Sequence, residues 1–317
     1  MPLDPYAQRF LERLKAAGAS PAATQTVAAR REALESLLAF AGARTGAATR
    51  AEDRALPGPA GELPIRIYTP ASSAPAEGCA GVLPGLVYFH GGGLVAGSLD
   101  THDGIARALA EASGCRLIAV GYRLAPEARF PAAIDDGCAA VRWIAAHAAR
   151  LGIDAARLGV CGDSAGATLA AVVCQALNAT QEPRVALQVL LCPILDLAAE
   201  TDSRHTLAEG FFLDRGTLRH DLAHYLPPGV DPADPRVSPL RAPHLEHLPP
   251  TVIHTAEFDP LRDEGQQYAA RLTHAGVRTQ YRCHSGMIHL FYGMGALIPY
   301  AAGAWGTIGS DIRALLA

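Results

Sequence analysis

The feature that most constrains the fold is an alternation of short apolar runs with helical patterns from about residue 62 onwards. Between the runs, apolar residues recur every three to four positions, as in amphipathic helices. This alternation is typical of an α/β fold with a mostly parallel, doubly wound sheet. Strands are predicted at 65–69, 86–89, 117–120, 158–161, 187–191, 251–254 and 279–282, and helices at 103–113, 132–150, 165–178 and 262–275.

Two segments stand outside this alternation. Near the N-terminus, Asp4 and Pro5 are typical of a helix start, and a second helical pattern runs over residues 27–42. Residues 198–230 interrupt the alternation and have the pattern of an inserted pair of helices. N-terminal helical hairpins and insertions over the carboxyl edge of a sheet often cover a site. We expect the same of both segments.

Composition limits the classes of partner. The 317 residues include 27 Lys and Arg against 31 Asp and Glu, a formal net charge of −4. Half of the residues are hydrophobic, which excludes a disordered chain, and no basic excess indicates nucleic-acid binding. We therefore expect a small-molecule partner and no nucleic acid.

The cysteines and the N-terminus bear on location. The seven cysteines contain no Cys-x-x-Cys pair, and several lie in apolar runs as small core residues would. The first ten residues carry charge where a signal peptide would be apolar, and no apolar stretch approaches the roughly 18 residues of a membrane span. These features predict a cytoplasmic protein without stable membrane insertion.

Gly162-Asp-Ser-Ala-Gly166 follows one predicted strand and opens a predicted helix. In this context Gly-x-Ser-x-Gly is typical of a nucleophile elbow, where the serine projects from a tight, strained turn. The two glycines permit the turn and let the strand and helix approach closely. Ser164 is therefore the candidate nucleophile.

His90-Gly-Gly-Gly93 also follows a predicted strand. Consecutive glycines there allow backbone N–H groups to point into a cleft and stabilise a developing oxyanion. A competing interpretation is the loose dinucleotide fingerprint formed by Gly91, Gly93 and Ala96, with Glu111 as the ribose-binding acid of an NAD-dependent enzyme. That interpretation leaves the serine motif unexplained, so we favour the oxyanion site.

A serine nucleophile needs a base, and the base needs a carboxylate that orients it. With a nucleophile elbow these residues follow the serine in the order acid, then His, each after a later strand. Asp259 and His289 meet this order relative to Ser164. Asp196, at the end of another strand, is the rival acid, and His284 is the rival base.

Other charged residues have simpler explanations. Asp263 and Glu264 lie inside a predicted helix, where we expect a salt-bridged surface face. His220 and His224 are spaced as a metal pair would be, but no Glu follows the first and no third ligand is evident. We expect surface histidines there, a surface loop position for His284, and neither a metal nor a cofactor.

Taken together, the motifs resemble those of the hormone-sensitive-lipase-like esterases, the bacterial branch of the α/β-hydrolases. The resemblance covers most of the chain. It rests on six motifs in family order: His90-Gly-Gly-Gly93; Tyr122-Arg-Leu-Ala-Pro-Glu127 with Phe130-Pro-Ala-Ala133; Gly162-Asp-Ser-Ala-Gly166; Asp234-Pro-Arg-Val-Ser-Pro-Leu240; Asp259-Pro-Leu-Arg-Asp-Glu264; and Gly286-Met-Ile-His289-Leu-Phe291.

This resemblance implies a role for each triad residue. Ser164 would attack the ester carbonyl. His289 would take the serine proton and later give it to the leaving alcohol. Asp259 would hold the imidazole in the required tautomer.

The resemblance also implies an oxyanion hole. The N–H groups of Gly92, Gly93 and Ala165 would form it, and His90 and Gly91 would support the loop. The implied architecture is a single α/β-hydrolase domain over residues 1–317, with a helical cap formed by about 1–48 and 198–230.

The implied function is that of a cofactor-free serine carboxylesterase acting on a small-molecule ester. A capped pocket limits chain length, so short to medium acyl chains are expected. Alternatives are amide or carbamate hydrolysis with the same triad and a non-catalytic small-molecule receptor on the same fold. Such receptors lack the catalytic histidine, so His289 argues against the last. Since dimers are the commonest assembly, a homodimer is a candidate state.

Overall fold

The computed structural model describes residues 1–18, 25–42, 49–71 and 81–316. Within these residues the chain forms eight strands and nine α-helices. The strands are β1 Arg50–Gly58, β2 Gly61–Thr69, β3 Leu83–Phe89, β4 Arg116–Val120, β5 Ile153–Asp163, β6 Leu187–Leu191, β7 Thr251–Phe258 and β8 Thr279–Ile288. The helices are α1 Pro5–Ala16, α2 Val27–Ala41, α3 Asp103–Ser113, α4 Ala132–Ala146, α5 Ala165–Thr180, α6 Asp202–Thr206, α7 Arg215–Tyr225, α8 Arg262–His274 and α9 Tyr300–Leu316.

All eight strands belong to one sheet in the order β1-β2-β4-β3-β5-β6-β7-β8. β1 and β2 pair antiparallel, as do β2 and β4, and the remaining neighbours pair parallel. The predicted mostly parallel sheet is confirmed. The order matters for the site because the parallel strands β5 to β8 end at one edge, so the residues that follow them lie close together.

Helices cover both faces of the sheet. On one face α4, α5 and α8 bury apolar residues such as Ile144, Leu177 and Leu272. On the other face α3 and α9 bury Leu109 and Ile312, and α1 and α2 contribute to the same apolar layer. Because both faces are covered, the central strands contain short, mostly apolar runs, as the sequence shows.

The N-terminal helix and the inserted pair form as expected. The Asp4 carboxylate accepts hydrogen bonds from the N–H groups of Tyr6 and Ala7, and Pro5 is the first residue of α1. The insertion 198–230 contains α6 and α7. Parts of the expected cap, residues 19–24 and 43–48, lie outside the described residues, as does Cys79. None of the described helices is both long and apolar enough to cross a membrane.

Two elements have no clear signal in the sequence. β1 is an edge strand in which Leu56 alone is buried, so its apolar pattern is weak. The helix α9 contains several glycines, which disfavour a helix in isolation. Packing explains one of them, because a Cβ at Gly309 would overlap the carbonyl group of Ala112 at the end of α3.

Candidate active site

Ser164 occupies the sharp turn between β5 and α5. Its backbone has φ +53° and ψ −123°, a conformation that costs a non-glycine residue about 1–3 kcal/mol. A Cβ at Gly162 would overlap the backbone of Gly166, and a Cβ at Gly166 would overlap the carbonyl groups of Phe89 and His90. The glycines thus permit two close backbone approaches, and the serine side chain projects from the resulting turn.

The structure brings Ser164 together with both expected partners. Nε2 of His289 lies 3.0 Å from Ser164 Oγ, and Nδ1 of the same ring lies 2.8 Å from Asp259 Oδ2. Asp259 follows β7 and His289 follows β8, so the three side chains come from the carboxyl ends of three strands of one sheet. All three residues are buried. This arrangement can transfer the serine proton to the imidazole.

The carboxylate of Asp259 is fully buried and held by further contacts. Its Oδ1 accepts the N–H of Leu261 at 2.9 Å. Cys192 Sγ, at the end of β6, lies within 4.8 Å of both a carboxylate oxygen of Asp259 and a ring nitrogen of His289. Burial, together with the nearby carboxylate, raises the pKa of the Cys192 thiol well above its ordinary value. The sulfur therefore stays protonated at neutral pH and does not compete as a nucleophile.

The rival acid and base serve other purposes. Asp196 Oδ1 and Oδ2 both lie 2.9 Å from Nε of Arg241. His284 lies in β8 and is buried, so the expectation of a surface loop position was wrong. Its Nε2 lies 2.8 Å from Nδ1 of His254, and its Nδ1 lies 3.1 Å from the Tyr300 hydroxyl.

The loop of residues 90–93, here called the glycine loop, carries backbone donors near Ser164. Gly92 and Gly93 have φ values of +117° and +70°, which favour glycine. Among the described residues, no acceptor pairs with the N–H groups of Gly92, Gly93 or Ala165, the first residue of α5. The Gly91 N–H, by contrast, donates to Asp163 at 3.0 Å. Backbone N–H groups rarely lack acceptors, so three of them beside a nucleophile indicate an anion-binding position.

His90 supports this loop. Its Nδ1 lies 2.8 Å from the carbonyl oxygen of Gly91, and its ring stacks on Tyr122 with centroids 4.5 Å apart. Burial, reinforced by the neighbouring His102, lowers the pKa of His90 to about 4. The ring is therefore neutral at physiological pH.

The dinucleotide interpretation does not fit the structure. No helix begins at the glycine loop, since α3 starts only at Asp103. Glu111 instead accepts hydrogen bonds from the Thr49 hydroxyl at 2.5 Å and the Ala71 N–H at 2.7 Å. It therefore stabilises chain segments away from the glycine loop.

Two further expectations of exposed residues were wrong, in addition to that for His284. His220 is buried, with Nδ1 3.1 Å from Asp221 and Nε2 3.1 Å from the carbonyl of Gln25, because α7 packs against the N-terminal part of the chain. Glu264 is fully buried: it pairs with Arg204 at 2.6 Å and accepts two backbone N–H groups after β6. Burial raises the pKa of Glu264, although the arginine opposes the shift.

Ser164 and His289 face a cavity of about 800 Å³. The glycine loop and residues of α1, α2 and α7, among them Leu11 and Leu34, line the cavity. Arg30 of α2 and Asp221 of α7 form an ion pair of 3.2 Å in its wall. Most of the exposed lining surface is apolar, although many polar and charged side chains contribute to it. A mostly apolar concave surface is typical of a small-molecule site.

The known proteins most relevant here are hydrolases and esterases, which agrees with the geometry of the site. The model of a family described as alpha/beta hydrolase fold matches residues 86–293. Ethyl acetate hydrolase of Pseudomonas putida is 42% identical over 242 residues, 75% of this chain and 74% of the relative. The chain belongs to the hormone-sensitive-lipase-like esterases of the α/β-hydrolase superfamily.

Further members of this esterase family are also similar. Carboxylesterase NlhH of Mycobacterium tuberculosis is 40% identical over 249 residues, 77% of this chain and 76% of the relative. A solved ester hydrolase from the metagenome of Lake Arreo, complexed with a derivative of bipyridine phosphonate, superimposes with a TM-score of 0.93 at 40% identity, covering 98% of both chains. The esterase of Pyrobaculum calidifontis has a TM-score of 0.87 at 35% identity, covering 99% of both. The comparisons thus support ester hydrolysis.

Sequence reasoning missed several residues that this esterase places around the triad. They are Cys192 beside Asp259, the Arg30–Asp221 pair in the cavity wall, and His102 beside Asp163. No local pattern could have indicated them, because each lies in an element distant in sequence from its partner.

Proposed function

We propose that this protein is a serine carboxylesterase that works through an acyl-enzyme on Ser164. One observation carries the proposal: Ser164 Oγ, His289 and Asp259 form a continuous chain of contacts of 3.0 and 2.8 Å at the edge of a cavity. This is the geometry that a nucleophile, its base and an orienting carboxylate require.

The reaction consists of two similar halves. His289 Nε2 takes the hydroxyl proton as Ser164 Oγ bonds to the carbonyl carbon of the ester. The imidazolium then gives this proton to the alkoxide oxygen as the carbon–oxygen bond to the alcohol breaks, leaving the acyl group on the serine. A water molecule attacks the acyl group in the same way, and the carboxylic acid leaves as the serine regains its proton.

Backbone N–H groups stabilise the negative charge of each tetrahedral intermediate. We assign this role to Gly92, Gly93 and Ala165, because their donors have no acceptor among the described residues. Gly92 and Gly93 line the cavity together with Ser164, and Ala165 directly follows it in the chain. Asp259 stabilises the imidazolium and holds its tautomer. No cofactor enters this scheme.

For the substrate we propose esters with short to medium acyl chains. Two features support this size. Residues of α1, α2 and α7 line the cavity that Ser164 faces and bound the space for an acyl chain, and the relative from Pseudomonas putida is named for ethyl acetate. We accordingly assign residues 1–48 and 198–230 to a cap on a single domain of residues 1–317.

Turnover of nitrophenyl acetate, butyrate, octanoate and palmitate tests the proposal. We expect a maximum at short or medium chains, loss of turnover in Ser164→Ala, and normal turnover in Ser113→Ala, which removes a buried hydroxyl from α3 instead. Near-normal activity of Ser164→Ala would refute the assigned nucleophile, and comparable turnover of palmitate would refute the chain-length limit. A nitroanilide of the preferred acyl group tests amide hydrolysis, for which we expect much slower turnover.

The cellular location and the oligomeric state need separate tests. We assign the esterase to the cytoplasm because the six cysteines among the described residues are free thiols, five of them packed in the core. Cell fractionation tests this assignment. The homodimer stays a prediction, which sedimentation velocity tests.

A further inference from the structure

A fully buried carboxylate, that of Asp163, packs against the glycine loop, and Asp163 and His102 both contribute to the cavity lining. Asp163 precedes Ser164, and its Oδ1 accepts the Gly91 N–H at 3.0 Å and the Tyr88 hydroxyl at 2.5 Å. Its Oδ2 has no hydrogen-bond partner among the described residues, but Nε2 of His102 faces it at 3.6 Å. Asp163 therefore links the nucleophile elbow to the glycine loop.

His102 is itself buried and held in place. The Thr101 hydroxyl lies 2.8 Å from its Nδ1, which leaves Nε2 directed towards Asp163. Burial alone would raise the pKa of the Asp163 carboxyl, but His102 and the Tyr88 hydroxyl outweigh it and hold this pKa below its ordinary value. Asp163 is thus a carboxylate at neutral pH, and its hydrogen bonds are charge-assisted and strong.

The contact of Asp163 with Gly91 bears on the adjacent donors. Gly91 gives its N–H to Asp163, whereas the next two N–H groups along the loop, those of Gly92 and Gly93, have no acceptor among the described residues. Because successive peptide planes share a Cα atom, a tether on the Gly91 N–H restricts the directions of the two that follow. Donors that stabilise an oxyanion must be placed before the reaction, since a displacement of about 1 Å can cost about 10²-fold in rate.

We propose that Asp163 and His102 are positioning residues for ester hydrolysis, which tether the glycine loop so that its free N–H groups face the oxyanion. This inference rests on the proposed function. Neither residue touches the substrate carbonyl in this scheme. Asp163 acts through Gly91, and His102 acts through Asp163.

The test compares Asp163→Asn with the unchanged enzyme. Asparagine keeps the shape but removes the charge from the bonds to Gly91 and Tyr88. We expect kcat to fall by about 10²-fold, the lower end of the effect of losing one oxyanion donor, with KM changed by no more than about threefold. The affinity for a trifluoromethyl ketone, which forms a tetrahedral adduct with the serine, should fall in step with kcat/KM. The affinity for the matching methyl ketone should not change.

Two further variants complete the design. His102→Gln should lower kcat by about tenfold, with the same effects on KM and on the two ketone affinities. The hydrogen bond from Gly91 to Asp163 remains in this variant, but Asp163 loses its contact with His102. Asp311→Asn is the matched control, because it neutralises another buried carboxylate that faces a histidine. Asp311 lies in α9, and its Oδ2 is 3.4 Å from Nε2 of His254 in β7. That variant should lose stability but keep kcat and the affinity for the trifluoromethyl ketone.

The inference is overturned if folded Asp163→Asn retains kcat within about threefold. It is also overturned if the variant lowers the affinity for both ketones equally, because that result indicates a general distortion of the site. If Asp163→Asn does not fold, the same two criteria are applied to His102→Gln. Ser164→Ala separates the two proposals. Activity in that variant refutes the proposed function, whereas an inactive Ser164→Ala beside a normal Asp163→Asn refutes only the tether.

Discussion

Acid should destabilise this protein through buried histidines, and His284 allows the effect to be measured. Burial, reinforced by His254 and Arg282, lowers the pKa of His284 to about 3, against an ordinary value near 6.5. The folded state therefore keeps this ring neutral at pH 5, while the unfolded state binds a proton. Stability then falls as the pH falls through the unfolded pKa, because the unfolded state binds more protons.

The magnitude follows from these two pKa values. Between pH 7 and pH 5, protonation of one histidine in the unfolded state alone lowers the free energy of unfolding by about 2 kcal/mol. His284→Gln removes this titration while keeping a side chain that can contact His254 and Tyr300. The stability difference between the unchanged protein and the variant should therefore shrink by about 2 kcal/mol over this range.

Urea unfolding at pH 7, 6 and 5 measures this difference, with the fluorescence of Trp143 in α4 and Trp305 in α9 as the signal. His244→Gln is the control, because the His244 side chain is 74% exposed, and this variant should follow the unchanged protein at every pH. A stability difference between the unchanged protein and His284→Gln that stays constant from pH 7 to pH 5 would refute the idea that His284 is held neutral by burial.

Other substitutions test the site and its frame. Asp259→Asn should lower kcat by about 10⁴-fold through the wrong imidazole tautomer, whereas Asp196→Asn should leave steady-state kinetics nearly unchanged; the reverse outcome would reassign the acid. Gly166→Ala should abolish folding or activity because its Cβ overlaps carbonyl groups at the end of β3. Gly303→Ala, at an exposed position of α9, should raise stability by about 0.5–1 kcal/mol in thermal unfolding. Glu264→Gln should cost about 3–5 kcal/mol in urea unfolding, since it leaves the largely buried Arg204 without its counter-charge; a loss below about 1 kcal/mol would contradict this reasoning.

Much of the fold could be predicted because the signals are local. A strand buried on both faces needs a continuous apolar run, and a helix on a sheet needs an apolar stripe, so β3 to β7 and α3 were evident from residue order. The same holds for Ser164, because a serine between two glycines at a strand end fits few structures other than a nucleophile elbow.

The exposed or buried state of single polar residues was less predictable. Glu264 and His220 lie next to polar residues in the sequence, as surface residues often do. Both are nevertheless buried against segments distant in the chain. Burial depends on which other element packs against a helix face. The spacing of residues within the helix does not identify that element.

By itself, the sequence determined the α/β architecture, the tight turn at Ser164 and the chain order of the candidate nucleophile, acid and base. Only the tertiary structure decided between Asp259 and Asp196 as the near carboxylate, and between His289 and His284 as the near imidazole. The physical reason is that all four side chains lie in or after strands of the same sheet. Which of them meets Ser164 depends on strand order and on the direction of each side chain, and both are set by packing across the whole domain.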